Sequence, residues 1–407
     1  MNLKPTLLVI SPTYPYPLIS GGKLRIFNLL KELSSQFDIT LLTLAEDNDD
    51  SSKNRQALVF LKELITIPIS QKKQAQVFRL LKYSISWLMG TPAEVLVKRT
   101  PQMATNLSEL LSNQSFDYIQ FEYIQNAQYL GACKTADAPK YMVAHDISYI
   151  SQQRKAEVAK GLKSWFWSRE AKLMKRYEMD NWPKFDAVFT MSETDQSHLK
   201  NLVPSSNVKV IPNGVDTKNL AMSSEATTPP KLIFVGWMRH LPNCDAIEWF
   251  MEDIWPQIKA QHPSVILQIV GKGLPAALAH VALKDERIEY LGYVDDIQKV
   301  VREATISIVP IRIGSGSRLK ILESMALGTP VVTTTVGCEG INALDKQEAV
   351  FADTPEEFAN STLALLNNEV ECASISNKAR TLVEQHYSWN KIGLTATEAI
   401  HGSNNAK

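Results

Sequence analysis

The sequence predicts an α/β protein with two doubly wound domains, for three reasons. Short aliphatic and β-branched runs, typical of strands buried in a parallel sheet, alternate with amphipathic helical stretches along the chain. A small, polar, proline-rich stretch at 221–230 interrupts this alternation as a linker would. The length of 407 residues exceeds that of a usual single core. We expect an N-terminal domain over 1–220, a C-terminal domain over 231–385, and a final helix with a disordered tail over 386–407.

The composition argues against several classes of function. Lys plus Arg and Asp plus Glu number 43 each, so the summed charge gives no reason to expect nucleic acid as a partner. The cysteines are far apart and have no histidine at metal-ligand spacing, which indicates neither a disulfide framework nor a zinc site. No apolar run reaches the length of a membrane span, and a reducing cytoplasm fits best.

The first elements of the chain form a βαβ unit. A strand at 7–10 is followed by a helix that begins at Gly21 and Gly22, and then by a strand at 39–44. The glycine pair lies between strand and helix, where small residues let a ligand approach the backbone. An ordinary turn is the alternative interpretation.

Polar side chains end the next two strands. The strand at 118–121 runs into Glu122, and the strand at 141–144 runs into His145 and Asp146. Ligands of open parallel sheets lie beyond the carboxyl ends of the strands. His145 is therefore a candidate for hydrogen-bonding or polarising a substrate hydroxyl, with a structural role as the alternative.

Two helical stretches, at 53–98 and 154–178, combine basic and aromatic residues. Such a surface suits anionic lipid or a lipid-linked substrate. Solvated basic faces with the aromatic rings in the core are the alternative. The domain then closes with a strand at 185–191, a helix capped by Ser192 and a Pro-Asn-Gly turn at 208–216.

The second half of the chain repeats the alternation. Its strands are expected at 232–235, 265–270, 288–291 and 306–309, and its helices include 244–258 and 375–400. The turn at 270–277 superficially matches a dinucleotide fingerprint, but Pro275 and the missing third glycine argue against an NAD site.

The segment 312–332, RIGSGSRLKILESMALGTPVV, joins a flexible loop, a helix and a buried strand without a break. Gly314 and Gly316 let the backbone fold close to a ligand and point its N–H groups inward. The helix is expected to begin at Leu319 and end at Gly328, before a strand at 331–335.

The start of this helix is predicted to bind an anion. Its free N–H groups and positive dipole end lie beside two cations, Arg318 and Lys320. Glu323 would repel a phosphate, so it should reach past the phosphates to hydroxyl donors such as a ribose. This predicts a nucleotide as the ligand, and a solvated salt bridge between Glu323 and either cation is the alternative.

Together these motifs resemble glycosyltransferase family 4, which has the GT-B fold. The resemblance rests on Gly21-Gly22, VIPNGVD at 210–216, FVGWM at 234–238 and GSGSRLKILESMALGTPVV at 314–332, and it covers nearly the whole chain. It implies two Rossmann-like domains facing across a cleft. It also implies transfer of a sugar from a nucleotide-sugar donor, with retention at the anomeric carbon and without a metal or cofactor.

The resemblance implies a role for each donor-loop residue. Glu323 would hold the donor's ribose, while Ser315, Gly316 and Ser317 would offer N–H groups to the sugar. His145 would lie beside the transferred sugar. The other residues expected to contact the donor from the C-terminal domain are Arg239, Gly292, Tyr293, Gly314 and Leu319.

The diphosphate is where this sequence departs from the family pattern. The usual Arg and Lys after the FVG strand fall on Trp237 and Pro242, and a frequent carboxylate falls on Ser315. Arg318 and Lys320 are therefore expected to neutralise the diphosphate as the catalytic cations, with Arg239 as a third. In the family, the Gly21-Gly22 turn covers the diphosphate, the N-terminal domain takes the acceptor, and the last helix crosses back to that domain.

The expected function is transfer from a UDP-, GDP- or ADP-sugar to a saccharide or lipid-linked acceptor at the cytoplasmic membrane face. Peripheral contact with anionic membrane and a role in polysaccharide or glycolipid synthesis belong to this expectation, because the GSGSRLKILE loop resembles a subgroup linked to surface polysaccharide assembly. Two alternatives stay open. One is a nucleotide-sugar epimerase of the same fold, and the other is a non-catalytic nucleotide-sugar-binding subunit, which Ser315 supports.

Overall fold

The computed structural model describes residues 3–46, 49–69, 85–86, 88–222, 228–314 and 316–403. Contacts within the chain divide it into two units, Met1–Pro212 with Ile392–Lys407, and Asn213–Lys391. Each unit is built on one parallel sheet, which confirms the predicted class of two Rossmann-like α/β domains. Ser315, the predicted linker residues 223–227, and most of the basic aromatic stretch at 70–87 lie outside the described residues.

In the described part of the first unit, seven strands form a sheet in the order β3-β2-β1-β4-β5-β6-β7. The strands are β1 (Thr6–Ser11), β2 (Asp38–Ala45), β3 (Glu63–Pro68), β4 (Tyr118–Glu122), β5 (Lys140–Ala144), β6 (Ala187–Thr190) and β7 (Val208–Val210). The helices are α1 (Gly21–Leu33), α2 (Ser52–Gln56), α3 (Ala93–Val97), α4 (Pro101–Asn113), α5 (Ser148–Val158), α6 (Leu162–Asn181) and α7 (Glu193–Leu202), and a 3-10 segment covers Ile124–Cys133. The strand order reverses between β1 and β4, so ligands are expected at the carboxyl ends of these two strands.

Local chemistry sets the helix starts of this unit. The side chain of Ser20 accepts a hydrogen bond from the N–H of Lys23, so α1 begins directly after it, at Gly21. The side chain of Ser192 accepts in the same way from the N–H of Asp195, which confirms the predicted cap. Both helices thus start just beyond the carboxyl end of a strand.

In the described part of the second unit, six strands form a sheet in the order β10-β9-β8-β11-β12-β13. The strands are β8 (Lys231–Val235), β9 (Ile266–Val270), β10 (Ile288–Gly292), β11 (Ile306–Val309), β12 (Val331–Thr333) and β13 (Val350–Phe351). The helices are α8 (Leu241–Trp249), α9 (Trp255–Gln261), α10 (Ala276–Lys284), α11 (Ile297–Arg302), α12 (Leu319–Leu327), α13 (Pro355–Leu366) and α14 (Glu369–His386), with a π-helical turn at Phe250–Ile254 between α8 and α9. The last helix, α15 (Trp389–Gly402), begins in this unit and belongs to the first unit from Ile392 onward. This sheet reverses between β8 and β11.

Several sequence predictions were wrong in detail. The stretch predicted as helical at 53–98 contains β3, which is an edge strand paired with β2. The helix predicted from 244 begins at Leu241, because a proline fits in the first helical turn. The strand predicted over 331–335 ends at Thr333. The elements β13 and α13 were not predicted.

The predicted disorder of the tail was wrong for its first residues. The ring of His401 stacks on Phe37 with centroids 5.1 Å apart, and its Nδ1 lies 3.1 Å from the hydroxyl of Tyr118. The hydroxyl of Tyr141 donates to the carbonyl of Ile400 at 3.0 Å. These contacts hold the end of α15 against the first sheet. The residues after 403 lie outside the described part of the chain.

In the described ranges, no helix combines the length and apolar character needed to cross a membrane.

Candidate functional site

The glycine-rich loop before α12 follows β11, at the switch point of the second sheet. The φ angles of Gly314 and Gly316 are 112° and 77°, in the region that favours glycine. α12 begins at Leu319 and ends at Gly328, which has a left-handed φ of 80°, as the sequence predicted. Such a helix start presents backbone N–H groups and the positive end of the helix dipole.

Lys320 is held at this helix start by a residue in the first turn of α8. Its Nζ donates to Oδ1 of Asn243 at 2.8 Å and lies 4.8 Å from the centre of the Phe234 ring. Loss of hydration, followed by the charge of Arg318, lowers the pKa of Lys320 to about 7 against the opposing effect of Glu323. An anion that arrives here would favour the charged ammonium.

Glu323 lies three residues along α12, on the same helical face as Lys320. Burial raises the pKa of Glu323 to about 7, although the charge of Lys320 acts in the opposite direction. A cation and a carboxylate that both titrate near neutral pH therefore share the start of this helix. Perturbed pKa values of this kind are frequent at functional sites.

Arg318 folds back over its own loop. Its guanidinium donates to the carbonyl oxygens of Gly316 and Ile313. A Cβ on Gly314 would lie 2.8 Å from Nη2 of Arg318, so the glycine leaves room for the guanidinium. The guanidinium of Arg318 therefore lies beside the helix start and stabilises the loop.

Asn213, in the Pro-Asn-Gly turn, fixes the last part of the loop. Its Nδ2 donates to the backbone carbonyl of Ser317 at 3.2 Å and to the Ser317 hydroxyl at 2.8 Å. Asn213 is 7% exposed. The turn and the donor loop therefore form one hydrogen-bonded structure within the second unit.

The loops after β8 and β9 approach each other closely beside this helix. A Cβ on Gly271, whose φ is 131°, would lie 1.7 Å from the carbonyl oxygen of Gly236. Nδ2 of Asn243 donates to the carbonyl of Trp237 at 3.0 Å. Asn243 thus links the loop after β8 to Lys320.

The remaining predicted donor-contact residues lie at or after the carboxyl ends of the central strand β8 and the edge strand β10. The exposed side chain of Arg239 passes Gly273, where a Cβ would lie 2.8 Å from its Cγ. Gly292, with a φ of 64°, ends β10, and the ring of Tyr293 after it is 58% exposed. Nζ of Lys272 lies 4.4 Å from the centre of the Tyr293 ring. The exposed ring of Tyr293 therefore has the ammonium of Lys272 beside it, just after the end of β10.

In the first unit, His145 follows β5 and pairs with a buried carboxylate. Its Nε2 lies 2.6 Å from Oε2 of Glu122, and the two side chains are 8% and 2% exposed. Nε2 of Gln120 donates to the other oxygen of Glu122 at 2.6 Å. The imidazole is consequently fixed by a charge-assisted contact at the end of the sheet.

Tyr123 connects His145 to the Gly21-Gly22 turn. Its ring stacks on His145 with centroids 3.8 Å apart and an interplanar angle of 8°. A Cβ on Gly22 would lie 2.0 Å from the Tyr123 hydroxyl, so glycine is required for this approach. Tyr123 has a φ of 66°, which is uncommon for a tyrosine and strains the backbone locally. The structure therefore brings Gly22 and His145 together around Tyr123.

Three positioning residues had no role in the sequence prediction: Asn213, Asn243 and Tyr123. Asn213 could have been inferred from its place in the VIPNGVD motif. Asn243 and Tyr123 carry no local sequence signal, because their partners are distant in the chain or depend on an unusual backbone angle.

The basic aromatic stretch at 154–178 forms the end of α5 and most of α6. Leu162 and Trp165 are 86% and 58% exposed, whereas Phe166 and Trp167 are half-buried and pack edge to face. Nζ of Lys155 lies 4.9 Å from the centre of the Trp167 ring. The surface combines exposed apolar side chains with lysines.

Sequence comparison links both units to glycosyltransferases. Residues 19–219 match the family model of Glycosyltransferase Family 4, and residues 229–368 match that of Glycosyl transferases group 1. A protein described as an uncharacterized 44.6 kDa protein in the cps region of Klebsiella pneumoniae is 22% identical over 95% of this chain and 97% of its own length. The O-antigen biosynthesis glycosyltransferase WclY of Escherichia coli is 23% identical over 38% of this chain and 45% of its own length.

Solved structures show the same fold at low sequence identity. Sucrose-phosphate synthase from Thermosynechococcus elongatus superposes with a TM-score of 0.75 at 14% identity. The superposition covers 99% of this chain and 100% of the synthase chain. HepE of Anabaena, solved in complex with UDP and glucose, gives a TM-score of 0.69 at 15% identity and covers 98% of this chain and 100% of its own.

Proposed function

This chain is a glycosyltransferase of the GT-B type, and we propose that it transfers a sugar from a nucleotide-sugar donor to a saccharide or lipid-linked acceptor, with retention at the anomeric carbon and without a metal. The observation that carries the proposal is that Lys320 and Glu323 lie buried on one face at the start of α12, with Lys320 fixed by Asn243. The pair supplies one group suited to phosphate and one suited to ribose.

The donor's diphosphate is assigned to the start of α12. Backbone N–H groups and the helix dipole favour an anion there, and Lys320 and Arg318 add positive charge. Glu323, farther along the same face, accepts hydrogen bonds from the ribose hydroxyls. Gly314, Gly316 and Ser317 are assigned to the sugar, and Leu319, the first residue of α12, packs against the core.

The cations contribute most to the bond-breaking step. When the bond between the anomeric carbon and the diphosphate oxygen breaks, its electron pair leaves with the diphosphate, and negative charge grows on the phosphate oxygens. Lys320 and Arg318 stabilise this charge more strongly in the transition state than in the bound donor. The acceptor hydroxyl forms the new bond to the anomeric carbon, and its proton passes to an oxygen of the departing diphosphate.

We propose uridine as the nucleoside of the donor, because the similar protein HepE was solved with UDP. Tyr293 offers an exposed ring for stacking at the end of β10, and Arg239 offers a further cation. In the first unit, His145 and Glu122 provide a fixed imidazole for a sugar hydroxyl.

The acceptor proposal follows the relatives and the surface of α6. The similar proteins include one encoded in a cps region and one of O-antigen biosynthesis. Exposed Leu162 and Trp165 among lysines suit the interface of an anionic membrane. We therefore place the enzyme at the cytoplasmic membrane face, in cell-surface polysaccharide or glycolipid synthesis.

The proposal is tested by screening UDP-, GDP- and ADP-sugars for stabilisation of the purified chain. A ligand that binds only the folded state raises the melting temperature as its concentration rises. We expect one nucleotide series to do so, and slow release of its nucleotide in the absence of acceptor. No stabilisation by any series would contradict the proposal.

Product analysis separates the transferase from the two alternatives. An epimerase converts the nucleotide-sugar without an acceptor and leaves the nucleotide attached. A non-catalytic subunit binds the donor but releases no nucleotide with any acceptor. We expect nucleotide release that accelerates when the correct acceptor is present.

A further inference from the structure

A second pocket lies in the first unit, near the opposite end of β5 from His145. It has a volume of about 700 Å³ and includes Lys140, the first residue of β5, among its walls. The other lining residues come mainly from α3, the 3-10 segment and the end of α6. A volume of this size accommodates a small organic ligand.

The walls of this pocket carry an excess of positive charge. Arg99, Lys134, Lys140 and Lys184 line it, and no carboxylate does so among the described residues. The chain as a whole has 43 basic and 43 acidic residues, so four cations together without an acid are a local departure from neutrality. Such a concentration favours an anionic ligand.

Hydrogen bonds hold two of the four basic side chains in place, and the other two side chains are exposed to solvent. Nζ of Lys140 donates to the carbonyls of Ala136 and Ala138 at 2.8 and 3.0 Å, and Nζ of Lys184 donates to Asn181 Oδ1 at 3.0 Å. Each ammonium keeps a further N–H for a ligand. The side chains of Arg99 and Lys134 are exposed at the pocket.

The rest of the lining is mixed, with apolar side chains beside Thr91, Gln128, Tyr177 and Asn181. Val95, Leu96, Ala127 and Leu130 form part of the wall, and Met89, 62% exposed, lies at the rim. A purely inorganic anion would leave this surface without a partner. An occupant with both an anionic head and an apolar portion satisfies both parts of the lining.

We propose that this pocket binds a phosphorylated amphiphile, in which a phosphate or diphosphate is carried on an apolar chain. The phosphate contacts Arg99, Lys134, Lys140 and Lys184, and the chain lies against Val95, Leu96, Leu130 and Met89. The site differs from the donor and His145 sites, and the inference does not rest on the proposed transfer reaction. A membrane lipid and a free phosphorylated compound both offer this chemistry.

The test measures binding of farnesyl phosphate to the full-length chain by isothermal titration. The pocket variant Arg99→Gln with Lys134→Gln removes two charges from exposed side chains. The matched control, Lys31→Gln with Lys200→Gln, removes two charges from exposed helical positions of the same unit outside the pocket. Thermal melting confirms that both variants fold.

We expect the pocket variant to weaken farnesyl phosphate binding at least about tenfold, because two charge-assisted contacts are lost. The control should change it by less than about twofold, and glucose 1-phosphate should bind at least about tenfold more weakly, because it lacks the apolar chain. Co-sedimentation with phosphatidylcholine vesicles, with and without phosphatidic acid, then shows whether the phosphorylated amphiphile is a membrane lipid or a free compound. Loss of vesicle binding in the pocket variant alone indicates a membrane lipid, and unchanged vesicle binding with weakened farnesyl phosphate binding indicates a free compound.

Three results would overturn the inference. The first is that farnesyl phosphate does not bind the wild-type chain. The second is that the pocket and control variants lose affinity equally. The third is that glucose 1-phosphate binds as tightly as farnesyl phosphate. The second result would indicate unspecific attraction, and the third would remove the apolar part of the proposal. Because binding is measured directly, an inactive transferase would not affect these outcomes.

Discussion

The unusual pKa of Lys320 predicts that donor binding weakens as the pH rises above neutral. Lost hydration is the main cause that lowers the pKa of this ammonium from its usual 10.5 to about 7 in the free protein. A bound diphosphate favours the charged form, so the pKa rises when the donor binds and a proton is taken up. Affinity is therefore greatest where Lys320 is already protonated.

The size of the effect follows from the charged fraction. With a pKa of about 7, this fraction falls from about a half at pH 7 to about a tenth at pH 8. We expect the association constant for the nucleotide-sugar to fall about fivefold over that interval. The diphosphate of a nucleotide-sugar does not titrate in this range, so the change reports on the protein.

Isothermal titration of the nucleotide-sugar between pH 6.5 and 8.5 checks this prediction. The variant Lys320→Met should bind about ten- to a hundredfold more weakly at pH 7, because one charge-assisted contact is missing, and its affinity should no longer fall as the pH rises from 7 to 8. Glu323→Gln should keep a pH dependence, shifted to lower pH, because Glu323 raises the pKa of Lys320. Parallel pH profiles for the wild type and Lys320→Met would refute the reasoning.

Further substitutions test the other contacts of the two sites. Gly22→Ala places a Cβ 2.0 Å from a tyrosine hydroxyl and should lower the melting temperature, with a cost of about 1–3 kcal/mol, whereas Gly131→Ala, which meets nothing within 4 Å, should not. Glu122→Gln removes the negative partner 2.6 Å from His145 and should lower kcat about tenfold or more, with KM nearly unchanged in steady-state assays. Asn213→Ala removes two hydrogen bonds to the donor loop and should weaken donor binding about tenfold by titration, without loss of the fold by circular dichroism.

Strand and helix periodicity was sufficient to predict the fold. The strands at the two switch points are buried on both faces, and such runs are easily recognised. The edge strand β3 was missed because its residues are only partly buried and lie within a basic, aromatic region. Burial of α15 against the first sheet depends on partners more than two hundred residues away in sequence, such as Tyr118 for His401, and no local pattern reports it.

The glycine-rich loop and the helix start after it were predictable because their residues are contiguous in sequence, whereas their binding of a donor stays a prediction. Lys320 and Glu323 are three residues apart on one helix, so their common face follows from helical geometry. Their shifted pKa values follow mainly from burial, which depends on the packing of distant segments, and the contact of Lys320 with Asn243 likewise comes from a different part of the chain. The stacking of Tyr123 on His145 likewise depends on a backbone angle that the sequence does not encode in any simple pattern.

The central claim is that the start of α12 binds the donor and stabilises its departing diphosphate. The rate of nucleotide release from the donor identified by the stability screen tests it most directly, in the wild type, Lys320→Ala, Glu323→Ala and the exposed control Lys378→Ala. We predict that both site variants lose at least about a hundredfold in kcat/KM, equivalent to about 2.7 kcal/mol, while the control retains the wild-type value. Near-normal release by both site variants would contradict the account.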